Sequence, residues 1–322
     1  MTSEKREILL LGLPETGKTS FLAALLHYVD APIPDKNLSQ YQLSSNTTYV
    51  TSIVQNWLKG KKPERTKVTA TKNAKTVADI FLEDKITEQK FTLHVPDFFG
   101  ETFENQFSSR LIENEYLDQI TSASGILLFI HPDKISQPTL IEDIKIAHKI
   151  EKLINDESGV DSVVKNENSI HDNNVNIEKD ANFEIPSEPT FIIEDCPTQT
   201  ILVDILETHL EFLKSHPVKL AIIISAWDLV HANAPRLSPL KWIENVLPLL
   251  YQFLLTNPER VIFKSFGISA QGGNIENPEE VERLTNFSEP SDRISVQEED
   301  SIHKNIASPI EWILQQWQKP TI

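Results

Sequence analysis

A single cysteine, Cys196, stands in a chain of 322 residues. An internal disulfide is thereby excluded. No Cys/His cluster with zinc spacing exists either, so a reducing, cytoplasmic setting is expected. Long hydrophobic runs are also missing. No apolar stretch approaches the roughly 18 residues of a membrane helix. The start MTSEKREILLLGL has too short an apolar part and lacks a cleavage site, so neither a secretory signal nor a membrane span is expected. Positive charge is in deficit: 30 Lys and Arg against 47 Asp and Glu give a formal net charge of −17. That balance repels nucleic acid and anionic lipid as main partners. One basic stretch runs against it, KGKKPERTKVTATKNAK at 59 to 75, with Lys59, Lys61, Lys62, Arg65, Lys67, Lys72 and Lys75. Most such runs are solvated loops.

What is present suffices for one large α/β domain with insertions or for two small domains. Strand candidates fall at about 6 to 12, 76 to 83, 90 to 96, 125 to 130, 218 to 225 and 260 to 268. EILLLGL, GILLFI, KLAIIIS and RVIFKSFGIS are continuous apolar runs, the mark of parallel strands covered on both faces. TVADIFLED and KFTLHV alternate and predict an antiparallel hairpin at a sheet edge. Amphipathic helices are expected at 18 to 29, 101 to 120, 138 to 154, 198 to 214 and 238 to 255. Ile201, Ile205, Leu206 and Leu213 form one stripe, and Trp242, Val246, Leu249 and Phe253 another, with a kink or break at Pro248. Residues 155 to 195 hold 11 Asp or Glu against 2 Lys and few large apolar groups, which predicts a flexible acidic insertion. A second acidic stretch, 274 to 305, reads as a loop before a C-terminal helix at 308 to 318. Ser308, Pro309 and Glu311 form a capping-box pattern there, Ile310, Ile313, Leu314 and Trp317 share one face, and Trp312 falls off it.

Between the first strand and first helix lies GLPETGKT, Gly12 to Thr19, the pattern Gly-x-x-x-x-Gly-Lys-Thr. Residue usage gives such a match by chance in roughly one chain in a hundred of this length. The strand-before, helix-after setting narrows it further. Gly12 and Gly17 make room for the loop Pro14-Glu15-Thr16-Gly17 and the following turn to Ser20 to surround an anion at a helix N-terminus, the N–H groups coming from Glu15 onward because proline has none. Lys18 would reach the β- and γ-phosphates, and the Thr19 hydroxyl would complete a Mg²⁺ shell.

Three further segments bear on which phosphate is held. PDFFGE, 96 to 101, follows the FTLHV strand; Asp97 there would support Mg²⁺ through water, and the Gly100 N–H would meet a γ-phosphate. An N-capping Asp97 in a plain turn would look the same. In AIIISAWDLV, Asp228 follows a buried strand; a carboxylate that accepts from the guanine N1 and N2 donors, the role the resemblance named below gives it, would be left unsatisfied by adenine. The last strand ends in GISAQGG, where Ser269-Ala270 places a backbone N–H at the carboxyl end of the sheet, the ligand side of such folds.

In this order, GLPETGKT, DFFGE, SAWD and SAQ resemble the Ras-like, translation-factor-related (TRAFAC) class of P-loop GTPases over most of the chain. LGLPETGKTSFLAALLHYV with CPTQTILVDILETHLEFL is, more narrowly, similar to bacterial double-GTPase families of conflict and anti-phage systems. The resemblance implies a Ras-like G domain: one α/β domain over 1 to 322, a six-stranded, mostly parallel sheet with an antiparallel second strand, and helices on both faces. It implies GTP and GDP as ligands, Mg²⁺ as cofactor, GTP hydrolysis, and a partner protein, either a paired GTPase or an effector reading the switch regions. Dimerisation is left open. It gives Lys18, Thr19, Asp97, Gly100, Asp228 and Ser269 their family roles, with Ala270 offering its N–H to the guanine carbonyl. Several positions depart from or leave open the pattern. Ser225 and Ala226 replace Asn/Thr and Lys, so Trp227 is expected to cover the base instead. Glu101 stands where Ras-like proteins have the Gln that orients the attacking water. The switch-one threonine has candidates in Thr66, Thr69, Thr71 and Thr76, with Thr69 or Thr71 preferred. No arginine is identifiable as a cis finger, Arg65 and Arg110 being merely near the switches, so slow intrinsic hydrolysis is expected. Phe98, Phe99, Phe103 and Phe107 are either core residues or effector contacts. A pseudo-GTPase scaffold is the alternative. A nucleotide kinase or ATPase would need an acceptor site and an arginine-rich lid, and neither is found.

Overall fold

All six strand candidates form strands, and three more join them in a nine-stranded sheet. The computed structural model describes residues 6–32, 36–62, 78–95, 101–138, 193 and 196–315. In chain order the strands are β1 (Arg6–Gly12), β2 (Leu38–Gln42), β3 (Ala78–Asp84), β4 (Gln89–Val95), β5 (Gly125–Ile130), β6 (Val218–Ser225), β7 (Val261–Ser269), β8 (Ser295–Glu298) and β9 (Ser301–His303). The order across the sheet is β2-β3-β4-β1-β5-β6-β7-β8-β9. β4, β1, β5, β6 and β7 run parallel, and the others are antiparallel to their neighbours. The expected antiparallel second strand of the six is β3. Its hairpin with β4 is not at the edge, however, because β2 pairs outside it. LSQYQ escaped notice because only Leu38 is buried in it.

Helices follow as α1 (Lys18–Asp30), α2 (Thr47–Leu58), α3 (Glu101–Ser109), α4 (Asn114–Ser122), α5 (Thr198–Phe212), α6 (Trp227–Asn233), α7 (Pro239–Val246), α8 (Pro248–Thr256), α9 (Pro278–Thr285) and α10 (Ser308–Leu314). Every residue of β5 is buried, as is the carboxyl half of β1, so both faces of the central sheet are covered. Ile8 and Leu10 of β1 share one core cluster with α1, α2 and α10. Leu9 and Leu11 point the other way and are equally buried; α4 packs on β1, and α7 and α8 on β7.

Several expectations need correction. The single amphipathic run at 101 to 120 is two helices, parted at Arg110, whose φ of 59° is left-handed. Pro248 breaks 238 to 255 into α7 and α8, and the break resets the phase. α8 buries Leu250 and Leu254, while Leu249 is exposed. The stretch 274 to 305 is not a plain loop: it contains α9, a short 3₁₀ turn, β8 and β9. Its acids had masked a buried set of Leu284, Ile294 and Val296. Ser308 does not cap α10, whose N-cap is Ala307. Asn305 serves that end instead, its Oδ1 accepting from Ala307 N at 3.1 Å and its Nδ2 donating to Glu311 at 2.8 Å. Trp312 packs partly buried against the core, with the Lys219 ammonium 5.3 Å from its ring.

The chain divides into two compact units, one of residues 1–135 and 197–322, the other of 136–196. The helix expected at 138 to 154 and the acidic insertion at 155 to 195 belong to the second unit and lie almost wholly outside the described residues, as do Trp317 and the end of the 308 to 318 helix.

Candidate functional site

The strand order turns back at β1, which lies between β4 and β5, and this reversal places an opening at the carboxyl ends of the parallel strands. A cavity of about 730 Å³ lies there, within the usual size of a small-molecule site. Its floor is the loop from β1 to α1. Gly12, at φ 152°, and Gly17, at φ 85°, hold backbone that a side chain would block. A Cβ on Gly12 would come within 2.9 Å of the Phe129 carbonyl, and one on Gly17 within 2.8 Å of Ser225. Gly17 caps α1 with no side-chain hydrogen bond and no acid in the first turn. The first-turn N–H groups therefore have no intrahelical acceptor and keep their positive end for an anion.

Lys18 is buried, and its ammonium donates to the carbonyls of Gly12 and Leu13, both at 2.6 Å, and to Thr16 Oγ1 at 3.3 Å. The cation thus sits across the mouth of its own loop. Glu15, left-handed at φ 58°, is held by Lys134 from beyond β5 at 2.6 Å. Pro14, Thr16, Thr19 and Ser20 line the same cavity.

The other end of the cavity is built by the loops after β6 and β7. Asp228, in the first turn of α6, accepts a hydrogen bond from Ser269 Oγ at 2.5 Å, and Ser269 Oγ in turn accepts from Gly272 N at 3.2 Å. The two residues assigned to the base from sequence are thus joined directly. Ala226, with φ 46°, turns the chain from β6 into α6 and lines the cavity, as does Ala270. Ser225 Oγ donates to the Ile130 carbonyl at 3.2 Å, tying β6 to β5 beneath Gly17.

Trp227 is a correction. It is buried, donates Nε1–H to Gln297 Oε1 at 2.7 Å, and lies so close on Gly267 of β7 that a Cβ there would meet the indole at 2.3 Å. The apolar ring is drawn into the core by the open face of a glycine, and cover for a base does not come from it. Asp97, Gly100, Thr66, Thr69, Thr71, Thr76, Arg65, Phe98 and Phe99 lie outside the described residues, and of Glu101 only the backbone, the start of α3, is described. Phe103 and Phe107 are buried. Arg110 pairs with Asp204 of α5 at 2.5 Å.

Tyr49, Lys62, His131, Asp133 and Gln271 line the cavity and were not picked out from sequence. Burial pushes the Tyr49 phenol pKa up, against an opposite pull from Thr19. Burial lowers His131, which favours the neutral ring. Neither Nε2 nor Oε1 of Gln271 has a partner among the described residues. Lys62 reaches Glu276 at 3.7 Å, both strongly exposed. Only Lys62 carried a signal, as part of the basic run; the rest depend on the fold.

Among the described residues no group of three or more His, Cys, Asp or Glu could by itself hold a metal. A magnesium site fits nonetheless, since that ion takes one or two protein oxygens and fills its shell with phosphate and water, and Thr19 offers such an oxygen beside Lys18.

A family model for Double-GTPase 1 matches residues 9–313. The chain belongs to the Double-GTPase 1 family. No functionally curated protein matches it. Among solved structures, a protein assigned as nucleolar GTP-binding protein 1 from Plasmodium falciparum is 13% identical, with TM-score 0.34, over 88% of this chain and 86% of that one. A bacterial selenocysteine-specific elongation factor is 12% identical, with TM-score 0.32; 88% of this double-GTPase family member aligns with only 28% of the factor. Among the described residues no helix is long and apolar enough to cross a membrane.

Proposed function

We propose that this double-GTPase family member binds GTP with Mg²⁺ and hydrolyses it to GDP and phosphate as a molecular switch. The observation that carries the reading is the joining of two ends in one cavity. The glycine loop with Lys18 and the N-terminus of α1 form an anion seat, and the Asp228–Ser269 pair offers carboxylate and loop at the base end. Lys18 neutralises phosphate oxygens, and the α1 N–H groups bind them. Asp228 accepts from a base edge that has two donors, which guanine has and adenine lacks. Mg²⁺ would supply charge neutralisation at the phosphates; Thr19 would hold it, with Asp97 and Thr69 as the further supports expected from sequence.

Glu101 takes the water-positioning role and Gly100 the γ-phosphate contact. A carboxylate at Glu101 also repels the γ-phosphate, so turnover without a partner is slow. On family resemblance, that partner is a second GTPase or an effector in a bacterial defence system, and the site of action is the cytoplasm. The domain reading is one GTPase unit carrying the acidic insertion.

The test is calorimetric titration with non-hydrolysable GTP and ATP analogues, each with Mg²⁺. Binding of the GTP analogue at least about tenfold tighter than the ATP analogue, lost in Lys18→Ala, is expected. Binding of neither would put the scaffold reading in its place, which the Ala226 substitution and the buried Trp227 otherwise favour.

A further inference from the structure

After β5 the chain makes a short 3₁₀ turn, Pro132–Lys134, and His131 caps it, its Nδ1 accepting from Asp133 N at 3.2 Å. Pro132 suits the first position of such a turn, where no N–H is needed. On one side the turn is fastened to the Gly12–Thr19 loop, the Lys134 ammonium donating to Glu15 Oε2 at 2.6 Å. On the other it packs on α6, whose first turn carries Asp228. The turn therefore stands between the anion end and the base end of the cavity, and His131 and Asp133 both line it.

The cap fixes the chemistry of the ring. A ring nitrogen that accepts from a backbone N–H carries no proton, so the neutral imidazole bears its proton on Nε2. Burial lowers the His131 pKa and keeps the ring in that neutral form. Among the described residues, neither His131 Nε2 nor the exposed Asp133 carboxylate has a hydrogen-bond partner. One turn thus offers the cavity an uncharged donor and, two residues on, an anionic acceptor.

The part of a nucleotide that fits such a pair is its sugar. A phosphate would be repelled by the Asp133 carboxylate and would gain no charge from a neutral imidazole. A vicinal diol is different. Each hydroxyl has one proton and two lone pairs, so one can accept from an N–H while its neighbour donates to a carboxylate. Acidic residues take ribose hydroxyls in this way in dinucleotide-binding folds. We propose that the 131 to 133 turn is the ribose seat of the cavity, with His131 Nε2–H donating to one sugar hydroxyl and the Asp133 carboxylate accepting from the other, so that ribonucleotides are selected over deoxyribonucleotides. The proposal rests on the nucleotide-binding reading above.

The experiment is calorimetric titration, with magnesium, of GDP and of dideoxy-GDP, which lacks both sugar hydroxyls, into the wild type, His131→Asn and Asp133→Ala. Asparagine keeps an oxygen that caps the turn but is too short to replace the Nε2 donor. The wild type should prefer GDP by about thirtyfold or more, the sum of one neutral and one charge-assisted hydrogen bond. Each variant should lower that preference by about three- to tenfold. The ratio of the two affinities separates the hydroxyls from any change in charge or packing that both nucleotides feel. A wild type that binds both nucleotides equally, or variants that weaken both by the same factor, would overturn the proposal and leave the nucleotide reading standing. A wild type that binds neither would overturn the nucleotide reading itself and take this proposal with it.

Discussion

At the level of single side chains, the proposed base recognition would turn on Asp228. Its carboxylate is oriented by the Ser269 hydroxyl at 2.5 Å, and Ser269 is steadied by Gly272 N. Of the two residues before Asp228, Ala226 has only a methyl group and Trp227 faces Gly267 and Gln297. On the proposed reading, discrimination between purines would therefore rest on one carboxylate to an unusual degree. Asp228→Asn keeps the volume but turns one acceptor into a donor. We expect the preference for the GTP analogue over the ATP analogue to fall by about tenfold or more, because a donor now faces donors. Competition binding with both analogues measures this; an unaltered ratio would remove Asp228 from the base site.

Among the elements, the parallel strands β1, β5, β6 and β7 were readable as apolar runs, β4 by its alternation, and the α1 and α5 stripes because their period is helical. β2, β8 and β9 were not, since short edge strands bury few side chains: Leu38 in one case, Val296 and Gln297 in another. α3, α4 and α5 meet at a contact that sequence gave no reason to expect. The Tyr116 hydroxyl of α4 donates to His209 Nε2 of α5 at 2.6 Å, His209 Nδ1 donates to the Ile205 carbonyl at 2.6 Å, and Phe103 of α3 packs alongside. Burial holds His209 down to about 4, so the ring is neutral in the fold. The unfolded chain protonates it near 6.5. Between these values the unfolded state binds more protons, and stability present above pH 6.5 is lost as the pH falls toward 4. We expect denaturant titrations at pH 7 and pH 5 to differ by about 2 kcal/mol from this residue. In His209→Gln that component should vanish, even if the variant is less stable throughout. His94 acts in the opposite sense: burial opposes its charge, but Asp79 at 2.7 Å and Glu7 at 3.2 Å outweigh it and raise its pKa, so its contribution is full below 6.5 and fades above it. A steeper acid loss in wild type than in His209→Gln is the result that isolates the buried ring.

Over the whole molecule, a net charge of −17 opposes the approach of a nucleotide triphosphate. Binding then depends on where positive groups face the ligand within the cavity. Four acids, Glu15, Asp133, Asp228 and Glu276, line it beside Lys18, Lys62 and Lys134, with Lys134 paired to Glu15 and Lys62 to Glu276, so the positive field is local to Lys18 and the N-terminus of α1. The loop sequence made Lys18 and Thr19 legible from the outset, since their spacing to Gly12 is local. Lys134, His131 and Tyr49 reach the cavity only through the sheet order, which no local pattern encodes. If this field is what holds the ligand, occupancy should stabilise the whole first unit, because the cavity joins loops from β1, β5, β6 and β7. A ligand at a hundred times its dissociation constant adds about 2.7 kcal/mol to a native state that alone binds it. For a unit of this size that corresponds to a rise in melting temperature of roughly 5 to 10 °C. GDP with magnesium should produce this rise in wild type, and Lys18→Ala, unliganded, should melt within a few degrees of unliganded wild type and show no rise on adding nucleotide. A variant that still gained the full shift would mean that the stabilising site lies elsewhere than the Gly12–Thr19 loop.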